Sequence, residues 1–415
     1  MRILHVTQGY YPAIGGTELL IQRVSEELVA QFGDEVTVFT TDCYNGEGFH
    51  NPGAPRMTRG WEERDGVRIQ RFPVLSRVSS LVWFPQVVAY RLNLPLNQYL
   101  RALYGGPVIP GLAKAIRRFP ADVVSASSFP LLHMFAAARG ARQSDRPLVL
   151  HGGLHPEDDW GFQRPMIYRM IPRASRYIAN TSYEAQYVLE RGASEQRVRT
   201  IGVGVDPDSY GRTSAAEAKR RLGVDPGPTV GFIGQIGGHK GVDTLLRAMP
   251  RVWIEIPEAR LLIAGSRTDY AIRIDRWIDS WPEHHQQQTT RRYSFPQGEK
   301  PWLFGSLDVF AYPSGFESFG IAYLEAWASG KPVIGCRRGA VPSVIEAGRD
   351  GLLIDYQDED MLAEAIIMLL KNPDWACDLG EAGKRKVLMH FTWPKVASRF
   401  REVYQEALRE RNRPE

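Results

Sequence analysis

The pattern that most limits how this chain can fold is a repeated alternation of short apolar runs with amphipathic stretches of helical period, sustained almost end to end. Strands buried on both faces read as continuous apolar runs, and the helices that cross between them need one apolar stripe. The alternation therefore specifies parallel sheets with helices on both faces. In the first half, strands are expected at residues 3–7, 36–40, 67–72, 122–126, 148–151 and 177–180, with a helix over about 17–32 marked by Leu20, Val24 and Leu28. In the second half, TVGFIG, ARLLIAG, DVFAYPS and KPVIGC read as central strands, with helices over 242–256 and 360–371 and a last helix over 394–409. A chain of 415 residues exceeds one ordinary core, so two doubly wound domains of about 200 residues each are expected. The join falls near Pro207, in a connector marked by Pro and Gly, giving 1–207, 208–390 and a terminal 391–415.

The segment YPSGFESFGIAYLEAWASGKPV, residues 312–333, carries the most chemistry. A buried strand leads into it, and the residues after Ser318 have helix-forming spacing until Gly330 and Pro332 stop it. Glu317 should stand just before the helix and Glu325 inside it, about two turns in at ~1.5 Å per residue. The unpaired N–H groups of Phe319, Gly320 and Ile321, with the helix dipole, favour an anion such as a diphosphate. Glycosyl transfer from a nucleotide-sugar builds positive charge on the sugar ring and negative charge on the departing diphosphate. A carboxylate beside an anion hole meets both needs. By spacing alone, two glutamates eight positions apart more often form a solvated helix face; the flanking residues alter that weighing.

F-E-S-F-G-I and E-A-x-A-S-G-K-P-V-I around the two glutamates resemble the E-x(7)-E motif of retaining GT-B glycosyltransferases of family 4. The resemblance implies two Rossmann-like domains facing an interdomain cleft, with the acceptor on the first and a nucleotide-diphosphate sugar on the second. It also implies that the final helix crosses back to the first domain, and that a hexose is transferred with retention, without a divalent metal or another cofactor. In those roles Glu317 binds donor-sugar hydroxyls and offsets ring charge, and Glu325 accepts the ribose hydroxyls.

Three further stretches resemble the family. In GFIGQIGGHKGVDTLL a strand enters a Gly-rich turn and then a helix, and Lys240 brings a cation to where a diphosphate would lie. The family usually has Arg directly after the first Gly of this turn and Lys five residues on; here those positions are Gln235 and Lys240. Gln brings no charge, which removes one charge-assisted contact of roughly 1.5–3 kcal/mol. Arg267, after LLIAGS, is a candidate to restore it. The loop YYPAIGGTE resembles P-x-x-G-G-x-E, in which Gly15 and Gly16 let the first domain close on the donor diphosphate. LVLHGGLHP matches the H-G pair that contacts the donor sugar, through His151, with His155 as an alternative. A lone His at a strand end is more often structural. The H-A-H that often follows the preceding strand in the family reads Ser125-Ala126-Ser127 here, so no second His contact is expected there. Catalysis is thus expected from Glu317, His151 and Lys240, and donor binding from Gly15, Gly16, Gln235, Lys240, Arg267, Phe319, Gly320, Ile321 and Glu325.

Other classes fare less well. Asp206-Pro-Asp208 and Asp358-Glu-Asp360 have D-x-D spacing, but the first lies in the connector and the second starts a helix, where acids cap amides; no metal site is expected. A dinucleotide oxidoreductase needs G-x-G-x-x-G after the first strand, which reads TQGYYPAIGG instead. A same-fold sugar-nucleotide epimerase or phosphorylase, or a non-catalytic sugar-nucleotide or membrane-binding module, stays open as an alternative.

A net charge of +4 does not call for nucleic acid. Its distribution is uneven, with 14 Lys and Arg against 5 Asp and Glu between Asn51 and Leu150, where Leu81, Val82, Trp83, Phe84, Val87, Val88 and Tyr90 also lie. Such a stretch can rest on an anionic membrane, although residues of this kind are more often core. No run is long and apolar enough to span a bilayer, so any membrane contact is expected to be peripheral. The start, MRILHVTQGYYP, reads as a first strand rather than a secretory signal, and Cys43, Cys336 and Cys377 are too scattered for a disulfide framework. A cytoplasmic protein is expected, at most at the inner face of the membrane. It would use a UDP- or GDP-linked donor and a saccharide, lipid-linked or small-molecule acceptor.

Overall fold

The computed structural model describes residues 1–13, 15–211 and 214–411. The chain forms two compact units, Met1–Val203 joined by the segment from Trp393 onward, and Gly204–Thr392. The first break thus comes before Pro207. Val205 N–H donates to the Phe391 carbonyl at 2.8 Å and Val205 bridges Thr392, so the connector is stitched into the second unit.

The first unit is built on eight strands: β1 (Arg2–Val6), β2 (Glu35–Thr41), β3 (Gly60–Arg64), β4 (Val67–Phe72), β5 (Val123–Ser127), β6 (Leu148–His151), β7 (Arg176–Ala179) and β8 (Val198–Thr200). Their order is β3-β4-β2-β1-β5-β6-β7-β8. All neighbours are parallel except β3, which runs antiparallel to β4. The polar, mostly exposed β3 (GWEER) and the three-residue β8 carry too little apolar signal to be read from sequence. Helix α1 (Gly16–Phe32) buries Leu20, Ile21, Val24 and Leu28, and stops at Gly33, whose φ of 61° is the left-handed cap that glycine suits. The helix Trp393–Arg411 buries Val396, Phe400, Val403, Tyr404 and Ala407 in this same unit. Its Tyr404 hydroxyl meets His5 Nε2 at 2.9 Å and Ser125 Oγ at 3.1 Å, and Arg401 pairs with Asp34 at 2.7 Å.

The second unit has β9 (Thr229–Ile233), β10 (Arg260–Gly265), β11 (Thr289–Tyr293), β12 (Val309–Ala311), β13 (Val333–Cys336) and β14 (Gly351–Ile354). They are all parallel, in the order β11-β10-β9-β12-β13-β14. The central β9, β12 and β13 are buried throughout, as their unbroken apolar sequences require. The outer β11 (TTRRY) and β14 were not legible as strands. Winding reverses between β9 and β12, so the loops leaving their carboxyl ends part and open a crevice. In the first unit the same reversal falls between β1 and β5. No described helix is long and apolar enough to cross a membrane.

Candidate active site

At the crevice of the second unit, β9 runs into a turn that hugs the backbone of its neighbours. The Cβ of any other residue at Gly241, where φ is 80°, would lie 2.2 Å from the Pro313 carbonyl oxygen. Glycine there lets the turn pass against the strand β12 exit and start the helix Val242–Glu255. The Gly315 N–H donates to the His239 carbonyl at 2.9 Å, tying the two loops together. Their side chains then meet: Lys240 Nζ lies 2.7 Å from Glu317 Oε1, with both side chains largely out of solvent. Residues 77 apart in the chain thus form one ion pair.

Glu325 is the fifth residue of the helix Ile321–Ala328, little more than one turn in rather than two. It is not a solvated face residue, being only 5% exposed. Its Oε1 accepts from Lys300 Nζ at 2.5 Å and from the Tyr210 hydroxyl at 2.9 Å. Burial, and then the adjoining carboxylate, push the Tyr210 phenol far above its ordinary value. The helix is capped by Gly320 in a left-handed conformation, φ 93°, and among the described residues the N–H groups of Phe319, Gly320 and Ile321 find no protein acceptor. Sequence reasoning missed Lys300 and Tyr210, because no spacing connects them to Glu325. It also missed Arg338, whose guanidinium carbon lies 4.7 Å from the Phe316 ring centre and 4.5 Å from that of Tyr356, beside the Glu317 loop; the only signal was Arg-Arg-Gly after a predicted strand. Gln235 and Arg267 are exposed, on the loops after β9 and β10. Among the described residues, no hydrogen bond or ion pair ties Arg267 to the Lys240–Glu317 pair.

Of the D-x-D aspartates, Asp206 and Asp358 bind backbone amides, and Asp360 pairs with Arg251 at 3.2 Å. Asp206 accepts from the Asp208 N–H, and Asp358 caps the helix Glu359–Lys371 by accepting from Met361 N–H at 2.8 Å. The three cysteines are unpaired.

In the first unit, Gly15 precedes α1, and a side chain there would collide with the Glu18 carboxylate, 2.1 Å from its Cβ; Gly16 opens the helix. That carboxylate accepts from Gln8 Nε2 at 2.8 Å. Both residues line a cavity of about 480 Å³ beyond the ends of β1 and β5, with His50, Tyr104, Trp160 and Arg164 on its other walls. Arg164 is almost wholly buried, donates to the Trp160 carbonyl and sits 4.9 Å from the Trp160 ring centre. Burial lowers its guanidinium to about 10. The loop segments that form this cavity were not singled out from sequence, apart from the Gly-Gly loop.

His151 ends β6 but is 1% exposed, with Phe400 packed 5.8 Å from it between ring centres. Its Nε2 meets Asn180 Oδ1 at 2.8 Å, its Nδ1 has no partner among the described residues, and burial holds the ring at about 4, neutral near pH 7. His155 lies against Phe162. Beneath the His151–Leu154 loop is a carboxylate that the sequence did not flag. Glu184 accepts from Tyr177 Oη at 2.6 Å, Asn180 N–H at 2.8 Å and Leu154 N–H at 3.3 Å, and burial pushes it up to about 7.

Comparison with known proteins agrees with this architecture. The family model "Glycosyltransferase Family 4" matches residues 14–209, and "Glycosyl transferases group 1" matches residues 215–386. A D-inositol 3-phosphate glycosyltransferase of Saccharomonospora viridis is 30% identical over 248 residues, 58% of this chain and 57% of that protein. The chain thus spans little more than half the length of that relative. A GDP-mannose-dependent alpha-(1-6)-phosphatidylinositol monomannoside mannosyltransferase of Mycolicibacterium smegmatis is 25% identical over 415 residues, 97% of each chain. Among solved structures, Anabaena HepE in complex with UDP and glucose superposes with a TM-score of 0.72 at 18% identity, covering 98% of this chain and 99% of that one. Sucrose-phosphate synthase of Thermosynechococcus elongatus gives 0.72 at 20% identity, covering 99% and 100%. With both of its units matched by the two family models, and its fold shared with these enzymes, the chain belongs to the group 1, family 4 glycosyltransferases of GT-B architecture.

Proposed function

We propose that this protein moves a hexose from a nucleotide-diphosphate sugar to an acceptor with retention of anomeric configuration, without a divalent metal. The observation that carries the reading is the Lys240–Glu317 pair at the switch-point crevice, beside three unsatisfied N–H groups at a helix start. When the donor enters, its diphosphate takes Lys240 and the N–H groups of Phe319, Gly320 and Ile321, which stabilise the charge that develops as the glycosidic bond breaks. Glu317, released from Lys240, accepts from donor-sugar hydroxyls and offsets positive charge on the ring. Glu325 offers its remaining lone pairs to the ribose. His151, buried and neutral near pH 7, is not exposed to a substrate or poised as a proton donor; its role, from the end of β6, is to hold Asn180. Within the first unit, the cavity lined by Gln8 and Glu18 is the pocket assigned to the acceptor. Gln235 leaves one phosphate contact uncharged; Arg267 and Arg338 are the nearby cations that would offset it.

The full-length relative named for GDP-mannose supports a GDP-linked donor, with UDP as the other candidate. Glu317→Gln and Lys240→Ala should each lower transfer by about 100-fold or more while the melting temperature stays near wild type. Retained activity in either variant would overturn the reading. The anomeric configuration of the product, followed by NMR, tests retention, and an unchanged rate in a chelator tests metal independence. Product formed without any added acceptor would point to an epimerase or a hydrolytic reaction instead.

A further inference from the structure

Between Asp65 and Asp122 the sequence contains no acidic residue. The middle of that stretch folds into a helical hairpin of α2 (Arg77–Arg91), a loop over residues 92–96, and α3 (Asn97–Gly105). What the two helices bury is small or polar: Ser79, Gln86 and Ala89 from α2, Arg101 and Ala102 from α3. Much of what they show to solvent is apolar. Leu81, Trp83 and Phe84 on α2, and Leu92, Leu94 and Leu96 in the loop, are between 44% and 77% exposed. A helix on a soluble domain normally turns its apolar stripe inward, and a surface loop is normally polar. Both rules are inverted here.

The inversion is held in place by specific bonds on the inner side. Ser79 Oγ meets His50 Nδ1 at 2.9 Å and donates to the Tyr104 carbonyl at 2.9 Å. Gln86 Oε1 accepts from Trp160 Nε1 at 3.4 Å. Arg101 donates to the carbonyls of Trp160 at 2.8 Å and Gln163 at 3.1 Å. The hairpin is therefore fixed with large apolar residues outward, and exposed apolar residues gathered on one hairpin mark an interaction surface.

Charge decides between occupants. Arg77 and Arg91, at the two ends of α2, are exposed, and among the described residues neither pairs with a carboxylate. A second copy laid face to face would set the same acid-free surface against itself, with arginines opposed and nothing to neutralise them. A bilayer containing anionic lipid offers phosphates at the level of the arginines, hydrocarbon for the leucines and Phe84, and an interfacial zone suited to Trp83, Tyr90 and Tyr99. We propose that the α2–α3 hairpin seats the first unit on an anionic lipid surface. Tyr104 of α3 also lines the cavity of that unit, so a lipid headgroup met by the hairpin lies next to the pocket in which an acceptor would sit. Only this corollary rests on the transfer reading.

The test needs no donor, so it is separate from the test of transfer. The full chain is floated with vesicles of phosphatidylcholine alone and of phosphatidylcholine with phosphatidylglycerol. Enrichment is expected on the anionic vesicles and should fall as salt is raised. Trp83→Ser combined with Phe84→Ser should lower partitioning by roughly tenfold or more, and Arg77→Gln and Arg91→Gln by about fivefold each, with melting temperatures unchanged. No enrichment on anionic vesicles, unaltered binding by the variants, or a dimer in solution that the serine substitutions dissociate would each overturn the proposal.

Discussion

Single residues show where local sequence is informative and where it is blind. Glu317 and Lys240 were legible because each stands in a motif whose neighbours fix its backbone. Tyr210 and Lys300 were not, since what matters about them is a contact with Glu325 across the fold. Glu184 was equally silent, and it yields a pH prediction. Burial raises its carboxyl from an ordinary 4.5 to about 7. The folded state therefore holds this proton more tightly than the unfolded chain. Its contribution to stability is complete below about pH 4.5, declines as pH rises, and is lost above about pH 7. The buried His5, held at about 3, and His133 and His151, at about 4, impose the opposite slope over an overlapping range. The readout is therefore the difference between wild type and Glu184→Gln in urea unfolding at several pH values. That difference should shift in favour of the variant by up to the order of 3 kcal/mol between pH 4.5 and 7. Parallel pH profiles for the two proteins would show that Glu184 does not titrate in this way.

At the scale of elements, the central strands were legible because burial on both faces demands unbroken apolar runs. β3, β8 and β11 were not, because edge strands keep polar residues. α2 shows the limit of composition. Its aromatic and aliphatic residues were read as core or membrane-facing, and only packing reveals that Leu81, Trp83 and Phe84 face outward while Gln86 and Ser79 face in. The turn after β9 makes a sharper test. Gly241→Ala must place a Cβ 2.2 Å from the Pro313 oxygen at a φ of 80°. It should destabilise the second unit by roughly 1–3 kcal/mol and move Lys240 away from Glu317, weakening thermal stabilisation by nucleoside diphosphate. Gly298→Ala, which meets nothing within 4 Å, should be close to neutral. Equal melting temperatures for the two variants would contradict this account of the turn.

At the scale of the whole molecule, the last helix is the clearest case of a tertiary decision. Its amphipathic pattern predicts a helix but not its partner; only the family resemblance implied the first domain, and the partner is indeed the first unit, where Phe400 is fully buried and Arg176 and Arg199 pair with Glu406. Phe400→Ala should lower the stability of the first unit by about 3–5 kcal/mol. By calorimetry, the transition of Gly204–Thr392 should stay where it is, and a shift confined to that second transition would contradict the assignment. The sequence by itself determined two doubly wound parallel sheets and put the Gly-rich turn and E-x(7)-E at the carboxyl ends of two strands, because periodicity and turn chemistry are local. Only the tertiary structure decided that those strands are neighbours, that Lys240 meets Glu317 and Lys300 meets Glu325, that His151 is sealed under Phe400, and that the hairpin turns large apolar residues to the outside. Each of these depends on residues far apart in the chain being brought together, and a pattern confined to neighbouring residues carries no record of such contacts.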